Sequence, residues 1–374
     1  MRLMIISGEA SGDLHGSGVV KELKKLNKDM DIFGIGGNKM QAAGMELVYH
    51  SKELSVMGFV EVLKKLPVIR SVEKTLEILL QKRQPDVLLL IDYPGFNLRF
   101  AKKAHKLGIK IFYYISPQIW AWHRSRIKRI KNVITKMFVV LPFEMDIYRK
   151  AQVDVEFVGH PLLDVIGMPQ GRPEFRARYG LEKMKPIIGL FPGSRRQELN
   201  NIFPTMLQAA EVLRTKFNAE IVVGAASVLE VDYIKSFLEE NTDVRIIQNA
   251  TYDLMKNSDV AVVTSGTATL ETACFQTPMV IVYKTSWLTY LIGRLLVRIK
   301  HIGLVNILAG KTIVPELIQH KANAARIAKE AGKYLADKAY CENTRQELSV
   351  IYKMLGQPGA ARRVAEIILN APRD

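Results

Sequence analysis

The sequence alternates short apolar runs with longer segments of helical periodicity along most of its length. Two successive parallel strands need a crossover of a dozen or more residues between them, usually a helix. The alternation therefore predicts an α/β fold with doubly wound parallel sheets, covered by helices on both faces. We predict strands at 3–7, 31–35, 86–91, 110–115, 136–140, 155–158, 186–191, 220–223, 244–247, 259–264 and 279–283.

The alternation is interrupted around Gly159-His160-Pro161 and the turn-rich segment 167–172. A chain of 374 residues exceeds the usual size of one hydrophobic core, so two domains are the natural expectation. We place the domain boundary near 160–175, with one Rossmann-like half on each side and a cleft between the halves.

The composition favours anionic partners. Lys and Arg number 53 against 37 Asp and Glu, a formal net charge of +16, which attracts nucleic acid, anionic membranes or phosphorylated substrates. Nucleic acid is disfavoured because the basic residues are dispersed and no reader motif is present. The two cysteines, Cys274 and Cys341, form neither a disulfide framework nor a zinc spacing, which indicates a reducing cytoplasm. No uncharged apolar run approaches the ~20 residues that span a bilayer.

The segment 259–284 predicts a phosphate site. An apolar strand runs into Ser265-Gly266, and a helix begins near Thr267, which places free N–H groups and a helix dipole at one point. Glu271 lies about one helical turn further along, where its carboxylate can accept hydrogen bonds from a sugar diol. Together these groups suit a nucleotide-sugar. The alternative is an ordinary strand–helix turn with a solvated glutamate.

A second strand-to-helix turn carries arginines. Ser194 follows Pro192-Gly193 and, with Gln197, matches a capping box, so Arg195 and Arg196 fall in the first helical turn. The helix dipole disfavours cations there unless an anion is bound. We select Arg195 as the phosphate ligand and regard Arg196 as solvated.

Two further loops follow predicted strands, where open parallel sheets bind ligands. Asp92 directly follows the apolar run 87–91, and a carboxylate partly shielded from water there can act as a general base. The alternative is a turn residue bonded to a backbone N–H. The loop 8–16 offers Glu9, Ser11 and Asp13, although helix capping explains Ser11 and Asp13 equally well.

Several segments together resemble the lipid-A-disaccharide synthase family, inverting glycosyltransferases of GT-B architecture. The segments that carry the resemblance are SGEASGD, SVMGFVEVL, IDYPGFN, YYISPQIWAWHRSR, LPFE, FVGHPLLD, LFPGSRRQEL and SGTATLE. The resemblance implies an acceptor-binding domain at 1–165, a UDP-sugar-binding domain at 166–356, and a C-terminal helix at about 357–374 that packs back onto the first domain. It implies transfer of 2,3-diacylglucosamine from UDP to 2,3-diacylglucosamine 1-phosphate, with neither a metal nor a cofactor.

The resemblance also implies roles for individual residues. Asp92 is the expected base, with Asp13 in reserve, and Arg195 is the expected clamp on the diphosphate. The remaining donor residues are expected to be Ser194, Ser265, Gly266, Thr267, Glu271, Asn306 and Glu316. On the acceptor side we expect Glu9, Ser11 and Asn97.

Acylated substrates require an apolar approach, and two basic amphipathic segments suit one. Expected acyl or membrane contacts are Val56, Met57, Phe59, Val60, Leu63, Val68 and Ile69; the segment 287–302 is similar. The protein is thus expected on the anionic cytoplasmic face of the inner membrane, and a homodimer is left open. The rival interpretation is another UDP-sugar enzyme, such as a sugar 2-epimerase or the peptidoglycan glucosaminyltransferase.

Overall fold

The computed structural model describes residues 1–54, 59–121, 125–239, 242–287, 290–291 and 299–371, and gives only the backbone of 59–66. The chain divides into two compact units. The first unit contains Met1–Val165 and Leu355–Asp374, and the second contains Ile166–Met354.

The first unit is built on a parallel sheet with strand order β3-β2-β1-β4-β5-β6-β7. These strands are Arg2–Ser7, Asp31–Gly36, Glu46–His50, Val87–Ile91, Lys110–Tyr114, Lys136–Val139 and Val155–Phe157 for β1 to β7. Helices α1 to α7 are Ala10–Leu26, Asn38–Ala42, Ser51–Leu54, Phe59–Arg83, Pro94–Lys106, Arg126–Val133 and Glu144–Lys150. A 3₁₀ turn, Pro161–Asp164, follows them.

The second unit is built on a parallel sheet with strand order β10-β9-β8-β11-β12-β13. These strands are Ile187–Phe191, Glu220–Ala225, Val244–Gln248, Val260–Thr264, Met279–Tyr283 and Glu316–Ile318 for β8 to β13. Helices α8 to α15 are Arg172–Tyr179, Arg196–Phe217, Val231–Lys235, Thr251–Asn257, Thr267–Cys274, Leu304–Ala309, Ala324–Ala336 and Lys338–Met354. A 3₁₀ turn, Gln319–Lys321, lies between β13 and α14. The last helix, α16 (Ala360–Leu369), belongs to the first unit and packs against α1.

The central strands form because their residues are apolar throughout and are covered on both faces. Every residue of β4, β8 and β11 is buried, as is typical of parallel strands between two helical layers. Each sheet has its own apolar core of strand and helix side chains. The predicted α/β class, with two doubly wound parallel sheets, is confirmed.

The structure corrects several element boundaries. Helix α1 begins at Ala10, so most of the expected loop 8–16 is helical. Phe59–Arg83 is one helix with Pro67 inside it. Strands β3 and β13 were not predicted: β3 is half exposed, and β13 has three residues. Short or partly exposed edge strands lack the continuous apolar run that reveals a central strand.

In both sheets the strand order reverses beside the first strand. In the first unit β2 and β4 flank β1, and in the second unit β9 and β11 flank β8. Connections on the two sides of the first strand run in opposite directions, which leaves a crevice at the carboxyl ends. The loops after β1 and β4, and those after β8 and β11, therefore border the expected ligand sites.

Candidate functional site

Asp92 lies at the switch point of the first sheet, directly after β4. Asp92 and Tyr93 both have left-handed backbones, with φ of 45° and 49°. This conformation is costly for residues other than glycine and persists only where the surroundings enforce it, often at functional sites. Gly8, after β1, touches Tyr93 so closely that a Cβ on Gly8 would collide with the ring. The two loops that border the switch point therefore meet.

Two side chains hold this strained turn. The hydroxyl of Tyr113 donates to the Asp92 carbonyl oxygen at 2.5 Å, and Asn97 Nδ2 donates to the same oxygen at 2.6 Å. Asn97 is fully buried and also donates to the carbonyl of Ile91. The amide nitrogen of Asn97 therefore braces the turn that carries Asp92, and the expected role of Asn97 as an acceptor ligand stays a prediction.

The surroundings of Asp92 favour its protonated form more than water does. Burial, and then the nearby charge of Glu9, raise the pKa of Asp92 to about 6, while a hydrogen bond from the Tyr93 backbone N–H opposes the shift. A carboxyl group of this pKa is ionised at neutral pH and is a stronger base than a solvated one. This environment suits a general base.

The residues after β1 fall into two groups. Glu9 is the N-cap residue of α1, and both Glu9 and Ser11 are exposed. The carboxylate of Asp13 is buried and accepts hydrogen bonds from the backbone N–H groups of Gly37, Lys39 and Met40. Asp13 therefore holds the start of α2, which argues against its role as a reserve base.

Arg195 lies after β8, at the switch point of the second sheet. It is the N-cap residue of α9, and its guanidinium lies 3.5 Å from the carboxylate of Glu198. Glu198 also accepts the N–H of Ser194, so the expected capping box of Ser194 with Gln197 is wrong. Arg196 instead pairs with Glu230 and lies over the ring of Tyr233. Arg196 therefore contacts both a carboxylate and an aromatic ring, whereas the Arg195 guanidinium has a single, longer contact with Glu198 among the described residues.

The loop after β11 lies on the other side of the same switch point. Gly266 is the N-cap residue of α12, and both Gly266 and Thr267 are exposed at the start of that helix. Ser265 Oγ donates to the carbonyl of Ile302. The first N–H groups of a helix have no partner within it, so this turn presents donors to an anion.

Glu271 lies in the second turn of α12. Burial raises its pKa to about 7. Within the described parts of the chain, no residue hydrogen-bonds to or forms an ion pair with Glu271. Glu271 is partly buried, and a carboxyl group without a protein partner can hydrogen-bond to ligand hydroxyl groups.

Asn306 and Glu316 have internal partners. Asn306 is fully buried, donates to Glu316 and the carbonyl of Val314, and accepts two backbone N–H groups. Glu316 lies in β13 and accepts the N–H groups of Ile302 and Gly303. Glu316 thereby holds Ile302, whose carbonyl accepts from Ser265. Direct contact of Asn306 and Glu316 with the donor stays a prediction.

Glu144 is a buried acidic residue that the sequence analysis named only within the LPFE motif. It follows β6 at the carboxyl edge of the first sheet and accepts hydrogen bonds from Ser116, Trp120 and the N–H of Leu141. Burial raises its pKa to about 7, and these hydrogen bonds oppose the rise. The signal available in sequence was an acidic residue four positions after the end of the predicted strand 136–140.

The residues expected to contact acyl chains differ in whether they are described and in how exposed they are. Val56 and Met57 lie outside the described residues, as do the side chains of Phe59, Val60 and Leu63. Val68 is 45% exposed, but Ile69 is buried in the core of the first unit, so the prediction for Ile69 is wrong. In the second unit, Trp287 and Leu291 are largely exposed.

Comparison with known proteins decides the family. The model of the family described as "Lipid-A-disaccharide synthetase" matches residues 3–369. A lipid-A-disaccharide synthase of Geobacter sulfurreducens is 46% identical over 99% of this chain and 97% of its own length. A lipid-A-disaccharide synthase of Myxococcus xanthus is 40% identical over 99% of this chain and 97% of its own length. The chain belongs to the lipid-A-disaccharide synthase family. The resemblance predicted from sequence is confirmed.

Solved structures of low identity support the fold. A UDP-GlcNAc 2-epimerase from Neisseria meningitidis bound to UDP-GlcNAc has a TM-score of 0.64 at 13% identity, covering 99% of this chain and all of that one. An S. aureus MnaA–UDP co-structure has a TM-score of 0.66 at 14% identity, covering 100% and 98%. The calicheamicin glycosyltransferase CalG4 has a TM-score of 0.64 at 14% identity, covering 99% of each chain. These matches confirm the GT-B architecture.

In the part of the chain that the structure describes, no helix is long and apolar enough to cross a membrane. Those residues also contain no group of three or more His, Cys, Asp and Glu side chains arranged to hold a metal ion.

The burial of Asp92 predicts a pH-dependent gain in stability for Asp92→Asn. In the native protein this carboxyl group keeps its proton up to about pH 6, whereas the unfolded value is 3.8. Wild-type stability therefore falls as pH rises between these values. The isosteric amide avoids this loss, so Asp92→Asn should be more stable than wild type at pH 8, by up to about 3 kcal/mol, and should lose this advantage at pH 4. Thermal unfolding at both pH values measures it.

Asp146→Asn is the matched control, because Asp146 is an exposed aspartate in α7 of the same unit. Its unfolding temperature should change by a similar small amount at both pH values. An Asp92→Asn protein that is less stable than wild type at pH 8 would contradict the burial cost assigned to the Asp92 carboxylate.

Proposed function

We propose that the protein transfers 2,3-diacylglucosamine from UDP to the 6-hydroxyl of 2,3-diacylglucosamine 1-phosphate. The products are a β-1,6-linked disaccharide 1-phosphate and UDP. Family membership over residues 3–369 is the observation that carries this proposal. The chemistry of the two switch points supports it, since one carries a shielded carboxyl group and the other carries an arginine beside helix N–H groups.

In the proposed reaction Asp92 removes the acceptor proton. As the 6-hydroxyl oxygen forms its bond to the anomeric carbon, the bond from that carbon to the diphosphate oxygen breaks, and the electron pair leaves with UDP. One displacement of this kind inverts the anomeric centre. General bases typically contribute about 10²–10⁴-fold, and the raised pKa of Asp92 suits that role near neutral pH.

The leaving diphosphate gains charge, and we assign its stabilisation to the second unit. Arg195 can form charge-assisted hydrogen bonds with the phosphate oxygens. Ser194, Ser265, Gly266 and Thr267 surround the same switch point, where the start of α12 offers N–H groups. Glu271 is assigned to the ribose hydroxyls, because its partly buried carboxyl group has no hydrogen-bond partner among the described residues. This arrangement requires neither a metal nor another cofactor.

Mass spectrometry of the lipid product tests this activity. The purified protein is incubated with UDP-2,3-diacylglucosamine and 2,3-diacylglucosamine 1-phosphate in detergent, with EDTA present. We expect a tetraacyl disaccharide 1-phosphate and UDP in equal amounts. Asp92→Asn should lower the rate by about 10²-fold or more. Absence of the disaccharide, or epimerisation of UDP-GlcNAc instead, would overturn the proposal.

Comparing alanine variants of the adjacent Arg195 and Arg196 distinguishes a specific contact with the diphosphate from a general effect of surface charge. Arg195→Ala should weaken UDP binding by roughly 10–100-fold, because charge-assisted hydrogen bonds contribute about 1.5–3 kcal/mol each. Arg196→Ala is the control, since the two side chains are similarly exposed, 54% and 60%, and Arg196 pairs with Glu230. Titration calorimetry with UDP measures both variants. Equal affinities for UDP in the two variants would refute the assignment of Arg195.

We also propose that the protein binds the anionic inner membrane at its surface. Both lipid substrates reside in a membrane, and the formal net charge of +16 favours an anionic lipid surface. Val68 in the first unit, and Trp287 and Leu291 in the second, are exposed apolar residues within basic segments. Exposed tryptophan is typical of the membrane–water interface.

Vesicle flotation tests the membrane proposal. Binding to vesicles with phosphatidylglycerol should exceed binding to pure phosphatidylcholine and should fall as salt rises, because part of the attraction is electrostatic. Val68→Ser and Trp287→Ser should each weaken binding severalfold. Met184→Ser is the control, since Met184 is 93% exposed but lies outside both segments. Vesicle binding that does not change with salt concentration would contradict the proposal, and so would an equal loss of vesicle binding in all three variants.

A further inference from the structure

A buried carboxylate that the proposed mechanism does not use, that of Glu144, bonds to the loop after β5. Glu144 Oε1 accepts the hydroxyl of Ser116 at 2.7 Å and the indole Nε1–H of Trp120 at 3.1 Å. Its other oxygen accepts the N–H of Leu141. Glu144 therefore joins the loop that follows β5 to the loop that follows β6.

The start of this loop is strained. Ile115 directly follows β5 and has a left-handed backbone with φ of 62°. This conformation is a clear outlier for a β-branched residue, and such strain clusters at functional sites. The Ile115 N–H donates to the carbonyl of Phe138 in β6, which fixes the direction in which the loop leaves the sheet. The strained backbone and the hydrogen bonds to Glu144 are independent observations about the same loop.

The loop lies beside the turn that carries Asp92. Strand β5 pairs with β4, and its Tyr114 carbonyl accepts the N–H of Asp92. Tyr113, the preceding residue, donates its hydroxyl to the carbonyl of Asp92. The left-handed residues after β4 and β5 therefore stand at adjacent strand ends of one sheet edge.

Trp120 is the residue that this arrangement orients. Its indole N–H is bound by Glu144, and its ring meets Phe143 edge-on, with centroids 5.3 Å apart and an interplanar angle of 81°. The side chain is nevertheless only partly buried. A buried carboxylate and an aromatic edge thus fix the orientation of an indole that still has accessible surface.

We propose that Trp120 is a stacking platform for the pyranose ring of the acceptor, and that Glu144 is the positioning residue that sets its orientation. The proposal rests on the function proposed above, in which the first unit binds the acceptor. The C–H face of a pyranose carries partial positive charge and suits the negative face of an indole. The hydroxyl groups at the ring edge remain free, so the 6-hydroxyl can still reach a base.

The proposal predicts different results for substitutions of Trp120 and of Glu144. Trp120→Ala removes the platform and should raise the acceptor KM about tenfold, while the affinity for UDP is unchanged. Trp120→Phe keeps an aromatic face and should raise the acceptor KM less than about threefold. Glu144→Ala should resemble Trp120→Ala, whereas Glu144→Gln keeps an oxygen acceptor for the indole and should restore most of the acceptor affinity.

Gln118→Ala is the matched control, because Gln118 is an exposed residue of the same loop. It should leave the acceptor KM unchanged. Initial rates with each substrate varied in turn give the two KM values, and calorimetry gives the UDP affinity. An unchanged acceptor KM in Trp120→Ala would overturn the proposal. The proposal would also fail if Trp120→Ala lost as much affinity for UDP as for the acceptor.

A binding experiment separates this proposal from the proposed activity. In a Trp122→Phe/Trp287→Phe background Trp120 is the remaining tryptophan of the three in the chain. Titration with 2,3-diacylglucosamine 1-phosphate should change its fluorescence saturably, and titration with UDP should not. If wild type forms no disaccharide, the activity fails while this titration still tests the platform. A signal that follows UDP, or none with the acceptor, would refute the platform. If Glu144→Ala does not fold by circular dichroism, Trp120→Ala and Glu144→Gln decide the outcome.

Discussion

The reversal of strand order in each sheet is the constraint on which the chemistry depends. Strand β1 lies between β2 and β4, and β8 lies between β9 and β11, so helices leave the two sides of each first strand in opposite directions. The carboxyl ends at this reversal are left uncovered by helices. In the first unit they carry Glu9 and Asp92, and in the second they carry Arg195 and Ser265. The same backbone geometry thus exposes acidic side chains in one unit, and an arginine and a serine in the other.

The strand ends of the first unit carry unusual backbone strain. Asp92, Tyr93 and Ile115 have left-handed conformations at the ends of the adjacent strands β4 and β5. Tyr113 and Asn97 hold the turn after β4, and the Phe138 carbonyl holds the start of the loop after β5. Because buried hydrogen bonds over-determine these turns, they fix the directions of the side chains that follow.

Buried carboxyl groups recur at these edges. Burial raises the pKa of Asp92 to about 6 and those of Glu144 and Glu271 to about 7. Their surroundings differ: Glu144 has three hydrogen-bond donors, while Glu271 has no partner among the described residues. A satisfied buried acid holds protein groups in place, whereas an unsatisfied one is suited to bind ligand hydroxyls.

The α/β class, the central strands and the family could be predicted from the sequence, because continuous apolar runs and strand-end motifs are local patterns. The same patterns placed Asp92 after a strand, Arg195 at the start of a helix and Glu271 one turn into another helix. The three-dimensional contacts were needed to show that Asp13 caps α2, that Asn97 braces Asp92, and that Asn306 and Glu316 bind each other. The same side-chain types serve as ligands or as internal caps, and what separates the two roles is which distant backbone groups lie within hydrogen-bonding distance.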